Sequence, residues 1–163
     1  MYQQTLCFIK RNNEILMLNR NSSPLKGLWN GIGGKVERDE TPIQCVQREV
    51  KEETTLDIPA GQFQYKGIIY WKVDDLYEGG LHAFLVDFPE GISFPTPRRA
   101  EEGILEWKRI EWLFEKDNLG VGEMIPYYLP ELLWQEEPLV HKCYIRNKVL
   151  FNYTYSLLKG VEE

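Results

Sequence analysis

Residues 34–56, GKVERDETPIQCVQREVKEETTL, gather the side chains best suited to chemistry. Gly34 opens the segment, Glu40 follows, and Arg48-Glu49-Val50-Lys51-Glu52-Glu53 completes it. At about 100° per residue, Glu49, Glu52 and Glu53 project from roughly one third of a helix circumference. Like charges this close raise one another's pKa when nothing neutralises them, and a divalent cation removes the conflict. All-oxygen donors favour magnesium, with manganese as the alternative, over zinc. A hard cation of this kind polarises phosphate oxygens and lowers the pKa of water, which suits the splitting of a phosphate anhydride. A solvated acidic face is the plain alternative for a bare Glu-x-x-Glu-Glu. The leading glycine, the spacing to Glu40 and the adjacent Arg48 weigh against it.

The element that must carry these carboxylates is a helix with a well-marked start. Thr41 suits the N-cap, Pro42 the first helical position, and Gln44 the third, which together make a capping box. Ile43, Val46 and Val50 then recur every three or four residues and form a buried stripe.

The segment resembles the Nudix box, G-x5-E-x7-R-E-U-x-E-E-x-G-U, where U is a large aliphatic residue. Gly34, Glu40, Arg48, Glu49, Val50, Glu52, Glu53 and Leu56 all match. Thr55 stands where the family has a glycine that ends the helix in the left-handed conformation, an arrangement that costs a β-branched residue about 1–2 kcal/mol. The resemblance implies an α/β fold, an α/β/α sandwich with a mixed β-sheet, spanning residues 1–163 as a single domain. It implies that Gly34 lends its carbonyl to the metal and that Glu49 and Glu53 bind it directly. Glu52 then binds a further metal or helps activate water, and Arg48 holds the glutamates in place together with Glu40. Lys35 contacts phosphate or polarises the attacking water. A later loop supplies a further acidic ligand, for which Glu102 is preferred to Glu101.

Residues 27–36, GLWNGIGGKV, are similar to the segment before the box in animal oxidised-purine nucleoside triphosphatases and in MutT-type enzymes. That similarity implies magnesium-dependent hydrolysis of a nucleoside triphosphate to the monophosphate and pyrophosphate, with 8-oxo-dGTP as one candidate substrate. Asn30 would then hydrogen-bond the purine, Trp29 and Tyr128 would stack on the base, and Arg20 would touch phosphate. The acidic pair that reads the oxidised base in the animal enzymes has no counterpart: Met124-Ile125 falls near those positions and Glu123 is out of register. Two other readings stay open. One is the same chemistry on another nucleoside diphosphate derivative, such as a dinucleoside polyphosphate, a nucleotide sugar or a capped RNA. The other is a catalytically inactive nucleotide-sensing module, although such modules tend to lose the box glutamates that this chain keeps.

Bulk properties fit a small packed enzyme. A chain of 163 residues with 43% hydrophobic side chains can bury a full core. A net charge of −6 argues against a stable nucleic-acid complex or adhesion to anionic membranes, and the family resemblance implies a small-molecule nucleotide as the partner. The chain is expected as a monomer or homodimer. Cys7, Cys45 and Cys143 lack close pairing, which points to free thiols in a reducing, cytoplasmic compartment. No segment has the length of a membrane span, and the start, MYQQTLCFIK, lacks the pattern of a signal peptide. His82 and His141 are read as packing residues. Gly31-Ile32-Gly33-Gly34 lacks the last glycine of a dinucleotide-binding turn, and Gly34-Lys35-Val36 lacks the Ser or Thr of a Walker loop.

Alternation and turn residues predict a hairpin from 5–9 and 14–18, then a polar loop at 21–27. Strands at 63–72 and 81–88 flank a turn region between Asp74-Asp75 and Gly79-Gly80, and a proline-rich loop follows at 89–97. A strand at 104–107, a turn at 110–114, a helix at 126–134 and a hairpin from 141–146 and 148–155 complete the reading.

Overall fold

Alternation in the first strand decides the architecture. In β1 (Thr5–Arg11), Cys7 and Ile9 enter one core while Leu6 and Phe8 enter another, and all four are buried. A strand that is apolar on both faces belongs in the middle of a covered sheet. The computed structural model, which describes residues 2–160, has it there. One neighbour of β1 is the antiparallel β2 (Glu14–Arg20), and the other is a parallel strand, β5 (Tyr77–Asp87).

The remaining strands are β3 (Trp29–Asn30), β4 (Gln64–Val73), β6 (Arg98–Ala100), β7 (Gly103–Arg109), β8 (Leu139–Arg146) and β9 (Val149–Leu157). They form one mixed sheet in the order β6-β7-β2-β1-β5-β4-β8-β9, with β3 added to β2. On one face α1 (Pro42–Thr54) sets Val46 and Val50 against Cys7, Ile9, Leu16, Leu18, Phe84 and Val86. On the other, the turn α2 (Ile110–Leu113) and α3 (Ile125–Trp134) cover Leu6, Phe8, Ile15, Met17 and Leu85. Helices therefore lie on both sides of a mixed sheet, as the family resemblance implied.

The three expected hairpins are present, with differences of physical interest. Gly79 and Gly80 belong to β5 and not to the turn, which closes at Asp74–Leu76. The Trp71 indole crosses Gly79, where a Cβ would lie 2.7 Å from the ring, and Tyr2 crosses Gly80 in the same way. The two glycines thus serve ring packing. Residues 110–114 form a helical turn rather than an open one, and the short strands β3 and β6 had no alternation long enough to announce them.

Candidate active site

Helix α1 begins as its sequence demands. The Thr41 hydroxyl accepts from the Gln44 amide at 3.3 Å, and the Gln44 side-chain oxygen accepts from the Thr41 amide at 2.9 Å. The helix ends at Thr55, which adopts the left-handed conformation at φ 66° and ψ 2°. Its hydroxyl accepts from Arg98 Nη2 at 3.2 Å, a contact that a glycine would lack.

Between these ends, burial divides the three box glutamates. Glu49 and Glu53, one turn apart beside the apolar stripe, are 8% and 6% exposed, whereas Glu52 is open to solvent. Gly34 explains part of that burial. Its Cα lies against the Glu49 carboxylate, so that a Cβ would collide with Glu49 Oε1. The Gly34 carbonyl accepts from the Thr5 amide at 2.9 Å and, at longer range, from the Thr5 hydroxyl at 3.4 Å and the Cys45 thiol at 3.8 Å.

Arg48 ties the carboxylates together. Its Nε and Nη2 clasp Glu40 at 2.7 and 3.0 Å, and its Nη1 donates to Glu49 at 2.9 Å and Glu52 at 3.3 Å. Nη2 also reaches the Lys35 carbonyl at 3.2 Å, and Glu37 lies 3.9 Å from Nη1. The paired guanidinium holds Glu40 below the usual carboxylate range and is itself stabilised in the charged form.

Glu53 has no such partner. Its Oε2 is buried and makes no hydrogen bond. Burial first, then the nearby charge of Glu102, pushes its pKa up to about 7, with Glu49 and Glu101 adding to the effect and the Glu102 amide opposing it. Burial likewise raises Glu49, against which the Arg48 contacts act. Glu102 sits in the turn between β6 and β7, and its carboxylate is 3.9 Å from Arg20 Nη1.

The fold therefore brings Gly34, Glu49, Glu53 and Glu102 to one place, with Arg48, Glu40 and Glu52 beside them. Among the described residues, no three acidic, histidine or cysteine side chains are grouped to enclose a cation, and Arg48 engages both Glu49 and Glu52. The donor set still suits a hard divalent ion: an orphaned buried carboxylate oxygen, and carboxylates that raise one another's pKa. Lys35 is exposed and joins the cluster through its carbonyl, not its ammonium.

The expected base-binding residues do not all meet. Asn30 lies on β3, where its Oδ1 accepts from the Gly31 amide at 3.0 Å. Trp29 is half-buried, and the Lys108 ammonium lies over its ring at 4.2 Å. Tyr128 is a correction: it is 2% exposed and packs between Phe8 and His141 at 6.1 and 5.9 Å. Its side chain points from α3 into the core because its helical neighbours Ile125, Leu129 and Leu132 share that face, so it offers no surface for stacking. Arg20 is engaged by the Pro24 carbonyl at 2.8 Å as well as by Glu102. Sequence reasoning passed over Thr5 and Glu37. The signal for Thr5 was a hydroxyl heading the apolar run at residues 6–9; it is 3% exposed and anchors Gly34.

A helix-flanked mixed sheet carrying a glycine turn and an Arg-Glu-x-x-x-Glu row defines the class. The NUDIX domain profile matches residues 1–128, and the chain belongs to that family. It is 24% identical over 157 residues to the mouse oxidized purine nucleoside triphosphate hydrolase, covering 92% of this chain and 91% of the relative. It is 36% identical over 64 residues to the CTP pyrophosphohydrolase of Escherichia coli K12, covering 39% of this chain. That match spans about half of the relative's length, 47%. A MutT protein structure from Bacillus halodurans superposes with a TM-score of 0.75 at 24% identity, over 95% of this chain and 97% of that one. A bifunctional NMN adenylyltransferase/ADP ribose pyrophosphatase from Francisella tularensis, complexed with AMP and a manganese ion, does so with a TM-score of 0.60 at 23% identity, over 82% of this chain and 41% of that one.

Proposed function

We propose that this chain hydrolyses nucleoside triphosphates to the monophosphate and pyrophosphate with magnesium, and that 8-oxo-dGTP is among its substrates. The observation that carries the reading is Glu53: a buried carboxylate, one oxygen unpartnered, close to Glu102 and Glu49. Such a group is unfavourable in a purely structural role and useful in a cation-binding one. The names of the relatives support a nucleotide substrate, and the manganese in the Francisella structure supports a divalent ion.

Glu49, Glu53, Glu102, the Gly34 carbonyl and, on the exposed side, Glu52 would hold magnesium or manganese. The ion, when bound, supplies charge neutralisation at phosphate oxygens and acidifies water. The chain's own residues do the rest. Arg48 fixes Glu49 and Glu52 by hydrogen bonds, and its clasp on Glu40 stops the guanidinium from swinging away. Thr5 fixes the Gly34 carbonyl from the sheet. A glutamate of the cluster accepts the proton of the water that attacks phosphorus. The exposed ammonium of Lys35 and the guanidinium of Arg20 offer positive charge to the phosphates. The Asn30 amide nitrogen remains able to donate to a base edge, since its oxygen is the atom already in use. The three buried free thiols suit a reducing compartment such as the cytoplasm, and no described helix is long and apolar enough to cross a membrane.

Initial rates of pyrophosphate and phosphate release test the substrate. The panel holds the common nucleoside triphosphates, 8-oxo-dGTP, ADP-ribose, a dinucleoside polyphosphate and a nucleotide sugar. A preference for 8-oxo-dGTP over dGTP of tenfold or more in kcat/KM, about 1.4 kcal/mol, is expected. Equal rates, or a faster diphosphate substrate, overturn the substrate assignment.

A further inference from the structure

The sheet ends in two unequal edges. One is β6, three residues long and bearing Arg98 and Arg99. Short charged edges discourage pairing with other chains. The other is β9, nine residues reading VLFNYTYSL, without proline and without a charged side chain. Val149, Phe151, Tyr155 and Leu157 along it are 63%, 52%, 47% and 62% exposed. Its one irregularity is a register shift where it meets Tyr144 and Ile145, which leaves 152–157 in regular register with β8.

The phase of the ladder says which backbone groups are free. The Leu158 amide donates to the Pro138 carbonyl at 2.9 Å, so residues 156 and 154 also turn their amides toward β8. Tyr153, Tyr155 and Leu157 turn theirs outward. The same three residues share one face of the sheet. The Tyr153 and Tyr155 rings lie 6.2 Å apart, and Tyr127 of α3 lies 6.2 Å from Tyr153. Outward backbone bonds and an apolar stripe therefore coincide in one short run.

We infer that β9 is a self-pairing edge, and that two copies of this chain join β9 to β9, antiparallel, about a two-fold axis at Tyr155. The axis sets Tyr155 against its own mate and Tyr153 against Leu157 of the other copy, each pair exchanging both backbone hydrogen bonds. Aromatic and aliphatic cross-strand pairs of this kind stabilise a sheet. One surface meets itself, as a two-fold interface requires. Charge permits this line of contact between like copies. Each copy carries a net −6 and repels the other wherever acid faces acid, whereas β9 contributes no carboxylate. The paired run from 153 to 157 is about 17 Å long. A contact of that size belongs with the small specific interfaces, under about 1,200 Å², so the dimer is weak. The inference stands apart from the hydrolase reading.

Sedimentation of the full chain from about 1 to about 300 μM tests it. The average mass is expected to rise from monomer toward dimer and to stop there. Tyr155→Pro removes an outward amide and spares the β8 ladder, a position where an edge strand tolerates proline. It should weaken association at least tenfold. Leu157→Lys, at an exposed side chain, should do the same and serves if the proline variant fails to fold. Asn152→Lys charges β9 outside the Tyr153-Tyr155-Leu157 run and should leave association unchanged. A wild type that stays monomeric to about 300 μM, or a dimer that both Tyr155→Pro and Leu157→Lys leave intact, overturns the inference.

Discussion

Replacing Glu53 by glutamine should make the metal-free protein more stable at alkaline pH while abolishing its turnover. The magnitude follows from the site. Burial and the neighbouring Glu102 raise the Glu53 pKa from 4.5 to about 7. The folded protein thus holds this proton more tightly than the unfolded chain does. Stability is highest below the unfolded value, falls as pH climbs from about 4.5 to about 7, and stays reduced above that. At about 1.4 kcal/mol per pH unit, the ionised carboxylate costs at most about 3 kcal/mol at pH 8. Glutamine is neutral at every pH and escapes the cost, less whatever its own buried amide loses in hydrogen bonding, so a gain of about 1–3 kcal/mol is expected. For a chain of this size that is about 3–8 °C in Tm. The assay is thermal unfolding of both proteins in EDTA at pH 5 and pH 8. The variant should match or trail the wild type at pH 5 and exceed it at pH 8. Added magnesium should raise the Tm of the wild type far more than that of the variant, and turnover should fall at least about 10²-fold. A Tm difference that stays flat between the two pH values would refute the reasoning.

Arg48→Ala leaves the buried Glu49 and the clasped Glu40 without their cation, and should cost about 2–4 kcal/mol in chemical denaturation together with most of the activity. Arg48→Lys, which cannot grip Glu40 with two donors, should fall between. Thr55→Gly relieves a left-handed threonine worth about 1–2 kcal/mol, but loses the Arg98 contact and adds the chain entropy of glycine, about 0.5–1 kcal/mol. The net expectation is a Tm higher by up to about 3 °C with unchanged rates. Gly34→Ala drives a methyl into the Glu49 carboxylate and should lower turnover at least tenfold, read as kcat at saturating magnesium, while far-ultraviolet circular dichroism stays native.

Much of this was legible in the sequence because it depended on local rules. The capping box at Thr41, the Ile43-Val46-Val50 stripe and the strained Thr55 are set by neighbours in the chain, and the structure has each of them. Hairpins were legible for the same reason. The division of labour among the glutamates was not, since Glu49 and Glu53 differ from Glu52 in what the sheet and the Glu102 turn bury against them. Thr5 was invisible as a partner of Gly34 because the two lie far apart in sequence, one on β1 and the other in the loop before α1. Tyr128 was misjudged because its aromatic ring suits a core as well as a base; only the packing of α3 on β1 distinguishes them. The two-residue strand β3 is held by β2 and by Gly120, contacts that no local pattern encodes.

Glu49, Glu53 and Glu102 are proposed to form a divalent-cation site that splits a nucleoside triphosphate. The most direct measurement is Mn2+ binding, followed by electron paramagnetic resonance, alongside pyrophosphate release from the same samples, for the wild type and Glu53→Gln. Saturable binding and metal-dependent pyrophosphate release are expected in the wild type, with both reduced together in the variant. Pyrophosphate release that persists in EDTA, or a Glu53→Gln protein that binds Mn2+ and turns over like the wild type, would contradict it.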